Sequence, residues 1–90
     1  MIESFRHRGL RDYWRKGRAG RLDGRWLREL DRILAALEAA ERPEDLNYPG
    51  AFFHALKGVD RYAVRVTGNF RVTFAWRGEA AVDVDLEDYH

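Results

Sequence analysis

Ninety residues, 46% hydrophobic and 34% charged, with no cysteine, leave room for one small domain over 1–90 whose core forms without disulfides or a cysteine-bound metal. No apolar run approaches the roughly 20 residues of a membrane helix, and the charged opening Met1–Arg8 lacks a secretory signal's apolar stretch, so the expected location is cytoplasmic. The formal net charge of +1 hides a polarity: residues 1–32 carry ten basic against five acidic side chains, the remainder six against ten, which suits a polyanion on one side only.

In chain order, Ile2 to Phe5 reads as a short edge strand leading into Gly9. Leu10, Tyr13 and Trp14 lie on one face of a short helix that stops near Gly17, and Gly17 and Gly20 bracket a basic turn. Asp23 is placed to cap a longer helix in which Trp26, Leu27, Leu30, Ile33, Leu34 and Leu37 recur at steps of three and four until Pro43 forbids continuation. Its other face carries Arg25, Arg28 and Arg32, with Glu29 and Asp31 within reach for pairing inside the helix. That stripe is either a solvated face or a phosphate-tracking surface.

Pro43 to Gly50 is a loop, after which the period changes to two. Phe52–Leu56 predicts one strand, and the alternations ending in Val66, starting at Phe70 and starting at Val82 predict three more. A three-residue loop at Thr67-Gly68-Asn69 pairs Val66 with Phe70, Val64 with Val72 and Tyr62 with Phe74. The same solution at Arg77-Gly78-Glu79 pairs Trp76 with Ala80, Phe74 with Val82 and Val72 with Val84, setting Arg71 opposite Asp85 and Thr73 opposite Asp83. The expected fold is α+β: a short N-terminal strand and two helices on one face of a twisted, mainly antiparallel sheet, with the other face open.

Candidate chemistry centres on scarce residues. His7, His54 and His90 are the histidines, and Lys16 and Lys57 the lysines in a chain of fourteen arginines. His54, Lys57, Arg71, Asp88, Tyr89 and His90 offer what phosphodiester cleavage by a 2′-hydroxyl needs: a base for the hydroxyl proton, an acid for the leaving oxygen and cations for the phosphorane. The competing readings are a solvated Asp88-Tyr89-His90 tail and a structural His54. In regular strands His54 and Lys57 point to opposite faces and Asp88 shares the parity of Leu86, so the cluster requires both segments to leave strand geometry. The spacing of His54, Asp88 and His90 makes a poor zinc set, and no metal or other cofactor is expected.

Five segments then resemble the HigB-type toxins, often labelled plasmid maintenance killer proteins, of the RelE/ParE superfamily: Met1–Leu10, Arg32–Leu37, His54-Ala55-Leu56-Lys57-Gly58, Gly68–Phe74 and Val84–His90. The order and the full-length coverage carry the resemblance. It departs at Ala55, where the family commonly has proline, and at Phe70, where it has tryptophan. The resemblance implies a RelE-like microbial-ribonuclease fold and a toxin that cleaves mRNA in the ribosomal A site and is neutralised by a HigA-type helix-turn-helix antitoxin, touching operator DNA only through it. It assigns His54, Lys57, Asp88, Tyr89 and His90 to catalysis with Arg71 as a supporting cation. The basic residues Arg15, Lys16, Arg18, Arg21, Arg25, Arg28 and Arg32 would meet ribosomal RNA. A ParE-like gyrase poison and an inactive, antitoxin-binding member are the alternatives.

Overall fold

The computed structural model describes residues 1–88. The apolar stripe of the second helical segment is where the core is built. Asp23 accepts a hydrogen bond from the Arg25 N–H and opens a 3-10 turn, Gly24–Trp26, which runs into helix α2, Leu27–Ala39. The preceding helix α1, Arg8–Lys16, begins at a His7 cap whose side chain accepts from the Leu10 N–H and ends at Gly17 with φ +69°. The Tyr13 hydroxyl donates to Asp31, joining α1 to α2. That hydrogen bond, followed by burial and the Asp31 charge, raises the Tyr13 phenol above its ordinary pKa.

The intrahelical pairing expected of Glu29 and Asp31 does not form. Asp31 serves Tyr13, Arg25 turns back to Asp23 at 2.7 Å, and Arg32 lies 4.3 Å over the Tyr48 ring. The helix ends at Ala39, short of the proline, and Pro43–Leu46 forms another 3-10 turn within the predicted loop.

Four strands follow: β1, His54–Ala55; β2, Tyr62–Arg65; β3, Phe70–Arg77; and β4, Ala80–Asp88. They form an antiparallel sheet in sequence order. β1 is two residues long where Phe52–Leu56 was expected. The first hairpin has the expected register, with Val64 opposite Val72 and Tyr62 opposite Phe74, and the Thr67 hydroxyl accepts from the Asn69 and Phe70 N–H groups at its turn.

The second hairpin departs from expectation twice. Arg77 pairs with Ala80 across a two-residue turn in which Gly78 takes φ +64°, so Trp76 faces Ala81 rather than Ala80. Further on, Ala75 faces Val82 while Thr73 faces Asp85: two steps along β3 meet three along β4. The extra residue is a β-bulge at Asp83, φ +51°. Arg71 therefore lies opposite Glu87, and Thr73 opposite Asp85.

The bulge decides which side chains enter the core. Ala81 and Val84, three residues apart, both join the cluster of Leu10, Leu30, Ile33, Leu34, Leu37, Val64, Val72 and Phe74, and Val82 leaves the predicted apolar row to face the other side with Ala75. Each fully buried aliphatic contributes roughly 1.5–3 kcal/mol. The expected N-terminal strand is present as two parallel bridges along β4, Ile2 to Ala81 and Phe5 to Val84, on either side of the bulge. Ser4 Oγ, between them, accepts from the Asp83 N–H at 2.9 Å.

Candidate active site

Residues directly opposite in the ladder share a face, which places the site row by row. His54, Ala63, Thr73 and Asp85 form one row across the four strands on the side away from the helices; Arg65, Arg71 and Glu87 form the next. His54 and Arg71, named from the sequence, thus lie on one open face.

The His54 side chain is exposed, and its Nδ1 lies 3.1 Å from the carbonyl oxygen of Phe52. A carbonyl only accepts, so the contact is a hydrogen bond in the form with hydrogen on Nδ1, which leaves the lone pair of a neutral ring on Nε2. Phe52 holds φ +51°, a conformation costing a non-glycine residue roughly 1–3 kcal/mol. The Arg65 guanidinium sits 4.8 Å from the centre of the Phe52 ring, and such an exposed cation–π contact contributes about 0.5–1 kcal/mol. That is less than the strain. The remaining restraint is Ala51, fully buried, whose carbonyl accepts the Arg65 N–H at 2.8 Å.

Arg65 stands directly opposite Arg71, and two cations facing each other across a ladder repel. The next row is bound more tightly. Arg61 Nη2 donates to Thr73 Oγ1 at 2.9 Å and to the Asp83 carbonyl at 2.7 Å. The Thr73 hydroxyl, accepting from a group that only donates, passes its own hydrogen to Glu87 Oε2. Burial, then the Arg6 charge, lowers the Arg61 pKa, while Glu87, Asp85 and Asp83 oppose the shift; the guanidinium remains a cation at neutral pH. Both polar groups of the bulge are satisfied, the N–H by Ser4 and the carbonyl by Arg61.

The other sequence-named residues are placed as follows. Lys57 is exposed in the turn after β1, where Gly58 takes φ +79° and the Leu56 N–H reaches the Arg61 carbonyl. Asp88 is exposed at the end of β4 opposite Phe70, the parity of Leu86, and so on the other face from His54 and Arg71. Tyr89 and His90 lie outside the described residues. Arg15, Lys16, Arg18, Arg21, Arg25, Arg28 and Arg32 are all exposed. Arg18 and Arg21, with Arg8, rim a cleft of about 630 Å³ floored by Leu22, Trp26, Phe70 and Leu86. Among the described residues no group of three His, Asp or Glu is placed to hold a metal ion.

Phe52, Arg61, Thr73 and Glu87 were not singled out from the sequence. Arg65 follows from the expected first hairpin, which sets it opposite Arg71. Thr73 is the buried polar residue of the sheet among the described residues, and its alternation between Val72 and Phe74 marks the open face but not the burial that Arg61 and Glu87 impose on it.

Two helices on one face of a four-stranded antiparallel sheet, with an exposed imidazole and a row of guanidinium groups on the other, make this an α+β protein of the RelE-like fold class. The chain belongs to the HigB-like toxin family: the family model described as "RelE-like toxin of type II toxin-antitoxin system HigB" matches residues 3–90. It is also 32% identical to Endoribonuclease HigB of Proteus vulgaris over 93 aligned positions, covering the whole of both chains. A type II toxin implies an antitoxin partner, and the relative supports an endoribonuclease activity.

Proposed function

We propose that this toxin is a ribosome-dependent mRNA endonuclease acting as a single domain in the cytoplasm, cutting in the A site by metal-independent attack of the 2′-hydroxyl on the adjacent phosphate. The observation that carries the reading is the exposed His54 imidazole on the same sheet face as Arg65 and Arg71, a base beside two cations of the kind a phosphodiester needs.

His54, with its lone pair on Nε2, takes the 2′-hydroxyl proton as the oxygen attacks phosphorus. An acid from the C-terminal segment, His90 or Tyr89, protonates the departing 5′-oxygen. This leaves a 2′,3′-cyclic phosphate on one fragment and a 5′-hydroxyl on the other. Arg71 and Lys57 stabilise the charge on the phosphorane; Asp88, on the other face at the end of β4, would act only on the C-terminal segment that supplies the acid. The exposed arginines of α2 and the turn before it, with Arg15 and Lys16 at the end of α1, meet ribosomal RNA. Inhibition falls to a HigA-type antitoxin.

The test is to add the protein to mRNA-programmed ribosomes and map mRNA ends for wild type, His54→Ala and a variant lacking His90. Cleavage by wild type within the A-site codon, absent from both variants, is the expected result. Intact mRNA with wild type would overturn the reading, and equal cleavage by all three would overturn the residue assignment. A triple Arg25→Ala, Arg28→Ala, Arg32→Ala variant is expected to bind ribosomes more weakly at low salt and with a shallower salt slope than wild type.

A further inference from the structure

We propose that Phe52 is a positioning residue for His54: its strained backbone presents the carbonyl that puts the histidine hydrogen on Nδ1, and Arg65 holds its ring in place. The proposal rests on His54 acting as the base in the reading above.

Four observations converge on this residue. Phe52 has a positive φ of +51°, where glycine is the usual occupant. The residue is 63% exposed, so core packing does not account for a large aromatic at that position. The Arg65 guanidinium lies over that ring at 4.8 Å, and the Arg65 N–H holds the carbonyl of the preceding Ala51 at 2.8 Å, so one residue of β2 grips the strained segment through both main chain and side chain. The product of the grip is the Phe52 carbonyl 3.1 Å from His54 Nδ1.

The chemistry explains why such a device is useful. A free neutral imidazole side chain favours the tautomer with hydrogen on Nε2, which leaves Nδ1, the nitrogen crowded by its own backbone, as the basic atom. A carbonyl fixed beside Nδ1 reverses that preference and frees the outer nitrogen to accept a proton from substrate. It also fixes the ring plane, since the hydrogen bond and the Cα–Cβ bond together define it. Phe52 touches no reacting atom in this scheme. It acts through His54.

The proposal is tested on the full chain carrying ¹⁵N-labelled histidine. Imidazole nitrogen shifts at a pH where the ring is neutral report the tautomer, and single-turnover cleavage on programmed ribosomes reports the rate. Wild type is expected to hold His54 in the Nδ1–H form. Phe52→Leu should populate the Nε2–H form and lower kcat about tenfold with KM within twofold, and Phe52→Trp, which keeps a π face for Arg65, should restore both. Phe52→Gly removes the strain and the ring together, so its kcat and tautomer should follow Phe52→Leu while its melting temperature stays at or above that of Phe52→Leu. A wild-type His54 in the Nε2–H form, or a Phe52→Leu variant unchanged in tautomer and kcat, would overturn the proposal. Absence of RNA cleavage by wild type would remove the ribonuclease reading instead, and the tautomer measurement would still decide the positioning role.

Discussion

The two faces of the sheet bury their residues by different means. On the helix side, Leu30, Ile33, Leu34 and Leu37 close over Val64, Val72, Phe74 and Val84, and the interface is apolar throughout. On the open side, Ala63 and Thr73 are equally inaccessible, but Thr73 is covered by an arginine and a glutamate that hydrogen-bond to it. The difference teaches how a domain this small can keep one sheet face available: a row of hydrogen-bonded charges seals the sheet without demanding a second layer, and leaves the neighbouring imidazole in solvent.

The comparison can be broken from either side. Phe74→Ala removes the largest fully buried side chain of the helix face and should cost about 3–5 kcal/mol, read as a lowered urea midpoint at unchanged slope. His54→Ala, on the open face, should leave that midpoint where it is and lower mRNA cleavage on programmed ribosomes by about 100-fold, the lower end of what a general base supplies. A large loss of stability in the second variant would mean that the open face is structural after all. Thr73→Val keeps the shape but removes the hydroxyl that accepts from Arg61 and donates to Glu87, with an expected cost of about 1–3 kcal/mol by the same denaturation assay; Thr73→Ser should recover most of it.

The smallest effect lies away from both faces. The Arg25 side chain, then the Arg25 N–H, hold the partly exposed Asp23 carboxyl at a pKa of about 2, below its ordinary 3.8. A depressed folded-state value stabilises above the ordinary carboxylate range, and the contribution is lost as pH falls from about 4 towards 2. Asp23→Asn keeps a capping oxygen while removing the charge, so its melting temperature should fall less steeply than that of wild type across that window.

Much of this was legible in the sequence for identifiable reasons. The α2 stripe and the β2–β3 register each rest on an unbroken period with a turn that permits one solution. The β3–β4 register does not, because Ala80-Ala81-Val82 is apolar at three consecutive positions and hides its parity, and because the bulge falls on an aspartate, which carries no such signal as glycine does. The candidate site divides the same way. His54 and Arg71 share a face through the first hairpin, and parity alone sets Asp88 with Leu86, as observed. The turn of Phe52 was not legible, since its positive φ goes with the burial of Ala51, the residue before it, and with the hold of Arg65, thirteen residues further along the chain.

The two bridges that Ile2 and Phe5 make with β4 have a consequence for how the toxin behaves in a crowded solution. An unpaired strand border recruits other strands, and a sheet with one bare face would be a ready nucleus for fibrous association. Here the N-terminal segment occupies the β4 border, and the opposite border is β1, two residues long and followed at once by a turn. The ladder offers too short a template for a second copy to extend, so the open face can be kept for a partner without inviting self-assembly.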